Sequence, residues 1–153
     1  MPKRKICDIS PYSGGLFSGG KRNVAASIDV VRTLVFNASN GDRADSRNVA
    51  IVFLHGASAD EAETTTAASA ARAAGITLLA VGVTGNVRAR ELDSIASYPM
   101  RSTVFRIPNY YSFVNILGGL TRAACNGRYL QNSTLLGTNR HDTTCVVSCR
   151  DAT

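Results

Sequence analysis

The chain has 153 residues, with no tryptophan, only four prolines and only three lysines among its 17 basic residues. It has no apolar run near the ~20 residues that a membrane-spanning helix needs. Its composition also excludes collagen, a coiled coil and a knottin-type scaffold. Hydrophobic residues make up 44% and charged residues 18% of the sequence. These values are typical of one folded domain, or one domain with a tail, that buries roughly two-thirds of its unfolded surface.

Acidic residues are scarce, and the net charge is +6 with a pI near 9.5. The basic residues are scattered along the chain, however, and Lys3-Arg4-Lys5 is their only run. This distribution predicts a solvated basic surface rather than a nucleic-acid site. A nucleic-acid partner would require binding that weakens steeply with salt.

Three of the four cysteines lie in the last 29 residues, outside the periodic part of the chain. This favours disulfides that tie a tail over catalysis, although four cysteines allow three pairings, which stay open. A zinc site is conceivable where His141 precedes two of these cysteines, but the spacing matches no common zinc module. The disulfide candidates are Cys7, Cys125, Cys145 and Cys149.

Two glycosylation sequons, at Asn37 and Asn132, are compatible with secretion. Together with the even cysteine count they favour an extracellular protein. The basic start of the chain is followed, over Cys7–Gly20, by no continuous apolar segment, so no signal peptide is predicted. We therefore expect this chain to be secreted as part of a larger protein.

Short apolar runs without polar alternation predict parallel strands that are covered on both faces. They lie at Asn48–His55, Ile76–Val83 and Ser102–Ile107, with a possible further strand at Lys5–Ile9.

Helical patterns alternate with these runs. Apolar residues recur on one helical face within Gly20–Asn37, and an alanine-rich helix is predicted at Asp60–Ala74, with a capping box at Ser58–Glu61 and a stop at Gly75. Asn86 and Asn109 are the predicted caps of two later helices. This order predicts an open, mostly parallel Rossmann-like α/β sheet with helices on both faces. From Cys125 onward the periodicity ends, so we predict a domain over residues 1–124 and an irregular, disulfide-tied tail over 125–153.

Two motifs suggest enzymes, and each is incomplete. Gly15–Lys21 matches the first part of a phosphate-binding loop, and a nucleotide-binding hydrolase that uses Lys21 is the alternative function. The next residue, however, is Arg22 where the motif needs a hydroxyl for Mg²⁺. His55-Gly-Ala-Ser58 ends a strand, but Asp60 breaks the glycine–serine–glycine pattern of a nucleophile elbow. We therefore predict that the protein is not an enzyme.

The stretch from about Tyr12 to Ala124 resembles the C-terminal two-thirds of a von Willebrand factor type A domain, closest to the matrilin-like and collagen VI-like extracellular branch. The segments that carry this resemblance are Ser18–Ile28, Asn48–Ser58, Ala70–Val83, Glu91–Ser97 and Val104–Ile107. The resemblance implies a Rossmann-like sheet and a role in adhesion or matrix binding.

Many members of that family hold a divalent cation with residues from three places. These are an Asp-x-Ser-x-Ser loop after the first strand, a threonine in the loop that contains two consecutive glycines, and an aspartate at the end of a later strand. Against that pattern the first strand appears to be missing, so the domain is predicted to be N-terminally incomplete. Arg22 stands at the threonine position and His55 at the aspartate position. Because Mg²⁺ and Ca²⁺ prefer oxygen ligands, the sequence predicts a degenerate, metal-free site without a cofactor. Arg22 would fill the gap with its own charge or pair with an acidic partner residue.

We therefore predict a non-enzymatic matrix- or cell-surface-binding module. A surviving binding face would lie on the strand-end loops, at Lys21, Arg22, Asn23, His55, Gly56, Ser58 and Thr84–Asn86. The competing interpretation is that the ligand site has been lost altogether. The Asn48–His55 strand would lack its neighbouring strand, and self-association through that exposed edge is a further expectation unless the tail or a partner covers it.

Overall fold

The computed structural model describes residues 23–42, 44, 47–124 and 144–148, the last of these as backbone only. Helices and strands alternate through most of this part of the chain. In chain order the elements are α1 (Val24–Val30), β1 (Asn48–Leu54), α2 (Glu61–Ala73), β2 (Thr77–Val83), α3 (Ala89–Ile95), α4 (Met100–Thr103), β3 (Val104–Ile107), α5 (Leu117–Ala124) and β4 (Thr144–Ser148).

The four strands form one sheet in the order β3-β2-β1-β4. β1 pairs in parallel with β2 from Val49 opposite Thr77, and β2 pairs in parallel with β3 from Ala80 opposite Val104. The predicted open, mostly parallel α/β sheet is therefore confirmed.

Both faces of the central strands are buried, as their unbroken apolar composition predicts. Successive side chains point to opposite faces, so Ala50, Val52 and Leu54 pack with α1, α2 and α3. Val49 and Ile51 pack on the other face with α5. The sheet thus separates two apolar clusters, with helices on each side.

The first two helices begin later than the sequence patterns predict. α1 begins after Asn23, whose side chain accepts a hydrogen bond from the Ala26 amide at 2.9 Å, and it continues as a wide turn over Val31–Val35. The capping box at Ser58–Glu61 was a wrong prediction, because Asp60 caps α2 by accepting from the amides of Ala62 and Glu63.

Gly75 ends α2 as predicted. Its φ of +82° lets the Gly75 and Ile76 amides donate back to the carbonyl groups of Arg72 and Ala71. A residue without a Cβ adopts this left-handed conformation at no steric cost.

The two predicted caps in the second half of the domain have different outcomes. The residue before α3 is Arg88, with no side-chain cap, so the prediction that Asn86 caps this helix was wrong. The Asn109 cap is confirmed, since its side chain accepts from the Ser112 amide at 3.0 Å. The residues that follow it, Tyr110–Ile116, form a 3₁₀ helix that leads into α5.

The tail differs from the irregular segment that the sequence predicts, because it contributes β4. This strand pairs antiparallel with β1, with Cys145 opposite Ile51 in the register. The edge of β1 that was expected to be exposed is therefore paired, and self-association through it stays a prediction.

Several predicted features lie outside the described residues. They are the strand at Lys5–Ile9, the loop at Gly15–Lys21, Arg22, the sequon at Asn132, His141, and Cys7, Cys125 and Cys149. Asn37, the other sequon residue, is exposed. Within the described ranges, no helix combines the length and hydrophobicity that a bilayer span requires.

Candidate functional site

The carboxyl ends of β1, β2 and β3 lie at one edge of the sheet because the three strands are parallel. We call the residues that follow them, 55–58, 84–86 and 108–110, the strand-end rim. In open α/β sheets ligands bind outside the carboxyl ends of the strands, so this rim is the first place to look for a site.

His55 is exposed on the rim and stacks on Tyr110. The two ring centroids are 5.8 Å apart, and the ring planes differ by only 5°. The stack joins the end of β1 to the segment after β3, and Tyr110 itself is 61% exposed. The pair therefore presents a flat, largely aromatic surface to solvent.

Glu91, on α3, holds the loop that follows β1. One oxygen of its carboxylate accepts a hydrogen bond from the Ser58 amide at 2.7 Å, although the two residues lie 33 positions apart in sequence. The side chain is only 1% exposed. Among the described residues, neither its second oxygen, Oε2, nor the buried Ser58 hydroxyl has a hydrogen-bond partner. A buried carboxylate thus fixes the backbone of the rim.

Thr84 ends β2 in a left-handed conformation, with φ of +73°, which is uncommon for a residue with a branched side chain. Its amide donates to the carbonyl of Ile107 at 2.8 Å and so links β2 to the end of β3. Its buried hydroxyl has no partner within the described part of the chain. Strained backbone of this kind is concentrated at functional sites.

The starts of α2 and α3 are joined by an ionic cluster beside the rim. Arg88 lies 2.5 Å and Arg90 3.5 Å from carboxylate oxygens of Glu61. Both arginine side chains are mostly exposed, so the cluster contributes little to stability. It does leave one more positive than negative charge among these three side chains.

The structure brings together only some of the predicted site residues. His55, Gly56 and Ser58 lie on one rim segment, with His55 exposed and Gly56 buried. Asn23 is exposed, but its side chain caps α1. Lys21 and Arg22 lie outside the described residues, so their place relative to the rim stays a prediction.

The described part of the rim has no cluster of acidic, histidine or cysteine side chains. Within the described ranges, no group of three or more histidine, cysteine, aspartate or glutamate residues could hold a metal ion. His55 occupies the strand end with an imidazole stacked on an aromatic ring, whereas hard cations prefer oxygen donors. The residue at the end of β1 therefore does not fit the hard cation that the family resemblance implies, and a metal-free site stays a prediction.

Sequence reasoning missed Glu91 and Tyr110. Glu91 lies four residues before Ile95, on the apolar face of α3, and a carboxylate in that position signals a buried partner. No comparable signal identifies Tyr110, because its contact with His55 depends on how the segment after β3 folds back over the sheet.

The chain belongs to the von Willebrand factor type A domain family, whose model matches residues 12–118. The resemblance identified in the sequence is thereby confirmed, and the matched region contains α1 to β3 and the strand-end rim.

Solved structures of proximal thread matrix protein 1 (PTMP1) from the mussel byssus have the same fold. One crystal form is 23% identical with a TM-score of 0.64, covering 69% of this chain and 27% of that chain. A structure of the same mussel protein with a zinc-occupied MIDAS motif is 24% identical with a TM-score of 0.64, covering 70% and 27% of the two chains. The present chain thus spans about a quarter of the length of these proteins.

Proposed function

We propose that this protein is a non-enzymatic, extracellular protein-binding module that docks matrix proteins through its strand-end rim without a bound cation. The observation that carries the proposal is the exposed His55–Tyr110 stack at the end of β1. A metal-dependent site of this family would use a carboxylate where His55 stands.

The chemistry of the rim favours docking over catalysis. The stacked rings supply apolar contact area, and the imidazole nitrogens and the tyrosine hydroxyl can form hydrogen bonds with a partner. Tyrosine is also enriched at the energetically important positions of interfaces. Ser58 has no histidine or carboxylate hydrogen-bonded to its hydroxyl among the described residues, so nothing there activates it as a nucleophile.

The extracellular matrix setting is supported by family membership and by the similarity to the mussel structures, which are of a thread matrix protein. The two sequons and the even cysteine count are compatible with it. Each of these observations is general, so the partner itself must be found by experiment.

The test is binding of the chain to immobilised fibrillar collagen, laminin and fibronectin, measured by surface plasmon resonance. We expect at least one of them to bind saturably, and we expect His55→Ala to weaken that binding about tenfold, the loss typical of a central interface residue.

The matched control is Tyr98→Ala. Tyr98 is an aromatic residue that is 88% exposed. It lies at the opposite end of the strands from the rim, because the amide of its neighbour Ser97 donates to the carbonyl of Leu78 near the start of β2. This control should bind as the parent does. Equal losses in the two variants, or no saturable binding to any of the three proteins, would reject the rim as the docking site.

A further inference from the structure

The 3₁₀ helix Tyr110–Ile116 presents three separate rows of side chains, because its residues repeat every three positions. One row faces the sheet. In it Tyr110 stacks on His55, Phe113 lies with its ring centroid 5.6 Å from that of Phe53, and Ile116 packs against the apolar cluster beneath. This row is sufficient to anchor the segment.

A second row, formed by Tyr111 and Val114, faces solvent. The two residues are 94% and 67% exposed. We call them the Tyr111–Val114 row. A third row carries the polar residues Ser112 and Asn115, so the segment already has a face suited to water. Adjacent exposed apolar side chains that the fold does not use are typical of an interaction surface.

The segment of the chain that carries this row contains arginines and lacks acidic residues. The sequence has no aspartate or glutamate from Ser94 to His141. Arg101 and Arg122 are both exposed, and neither forms an ion pair within the described residues. A partner that brought carboxylates to this surface would find cations without competing acids.

The surface has the length of a short extended peptide. The 3₁₀ helix continues into α5, so Tyr111 and Arg122 are separated by roughly 20 Å at the usual rise of the two helix types. Arg101 lies on α4, which packs against α5. An extended segment of about six residues covers that distance.

We propose that the Tyr111–Val114 row, together with Arg101 on α4 and Arg122 on α5, docks an acidic peptide segment that also carries apolar side chains. This deepens the proposed function, on which it rests, by naming the chemistry of the partner. The chain's own flanking segments are poor occupants, because residues 1–22 hold five basic residues and one acidic residue and residues 125–143 hold two and one. Like charges across a contact cost free energy.

The probe for the test is a random copolymer of glutamate and tyrosine, immobilised beside polyglutamate and heparin. We expect the chain to bind the copolymer saturably and to bind polyglutamate about tenfold more weakly. Its affinity for the copolymer should fall as the salt concentration is raised. Preference for heparin would assign the surface to a sulfated glycan, and would overturn the proposal, as would equal binding to the copolymer and polyglutamate.

Two pairs of exposed substitutions test the two parts of the surface. Tyr111→Ser with Val114→Ser should weaken copolymer binding about tenfold or more. Arg101→Gln with Arg122→Gln should weaken it and reduce its dependence on salt. The matched control is Leu34→Ser, an apolar residue 47% exposed beside Val31 and Val35, which pack on the opposite face of the sheet. A control loss equal to that of the row variant would overturn the proposal.

The same variants separate this inference from the proposed function. If matrix-protein binding falls in His55→Ala and stays unchanged in the Tyr111→Ser, Val114→Ser variant, the rim docks the partner and the acidic-peptide inference is wrong. If copolymer binding follows the row and no matrix protein binds, the inference stands and the matrix assignment fails. Concentration-dependent dimers that the row variant abolishes would instead identify a second copy as the occupant and overturn the inference.

Discussion

Glu91 is the residue on which the shape of the rim depends most. It is buried, and the only hydrogen bond that its side chain forms among the described residues reaches across from α3 to the Ser58 amide. Removing the acceptor would leave that amide without a partner in a site that water barely reaches, which costs about 1–3 kcal/mol.

The prediction at this scale compares two substitutions of Glu91. Glu91→Leu should sharply reduce the hydrogen-exchange protection of the Ser58 amide and lower the free energy of unfolding by about 1–3 kcal/mol. Glu91→Gln retains the accepting oxygen and should preserve most of that protection. Glu63→Gln, at an exposed position on α2, is the control. Equal protection of Ser58 in the leucine and glutamine variants would show that the carboxylate does not hold the loop.

At the residue scale the sequence predicts the exposed chemistry better than the buried chemistry. His55 is predictable because it follows a strand, and strand ends are where parallel sheets present residues to ligands. The contact of Glu91 with Ser58 is not, because it joins a helix to a loop 33 residues away and depends on the packing of α3 against the sheet.

Gly82 allows α3 to pack closely on β2. A Cβ built at Gly82 would lie 2.7 Å from Cδ1 of Leu92, which is fully buried. Gly82→Ala should therefore lower the free energy of unfolding by about 1–3 kcal/mol, measured by urea denaturation. Gly85→Ala is the matched control, since nothing lies within 4 Å of its Cβ position. Unchanged stability in Gly82→Ala would mean that Leu92 moves aside without cost.

Strands were more predictable than helix starts at the element scale. β1 and β2 are buried on both faces, so their sequences are unbroken apolar runs, and such runs are sufficient to predict them as strands. The cap of α2 was assigned to Ser58 and lies at Asp60. Several residues near a helix start can supply the accepting oxygen, and the backbone conformation decides which of them does.

At the scale of the whole molecule, β4 covers the edge of β1 at which the family resemblance predicts a missing strand. In β4 the amide N–H groups of consecutive residues point alternately toward β1 and away from it. Proline has no amide hydrogen to donate, so it removes a bond to β1 at only one of two consecutive positions. Of Val146→Pro and Val147→Pro, one should therefore lower stability more strongly than the other. That variant should also form oligomers in light scattering by exposing the edge of β1. Two monodisperse variants as stable as the parent would show that β4 does not protect this edge.

This strand could not be predicted from the sequence. Thr144–Ser148 is a short run that contains a cysteine, and the sequence favoured a disulfide-tied tail there. Its partner β1 lies almost a hundred residues earlier in the chain, and a pattern of apolar residues does not specify which strand a distant segment joins.

The central claim, that this domain docks proteins without a cation, is tested most directly by isothermal titration calorimetry of the intact chain with Mg²⁺, Mn²⁺, Ca²⁺ and Zn²⁺. Zn²⁺ is included because imidazole is one of its usual ligands. The account predicts no saturable heat with any of the four ions. Micromolar binding that His55→Ala abolishes would contradict it and place a metal at the end of β1.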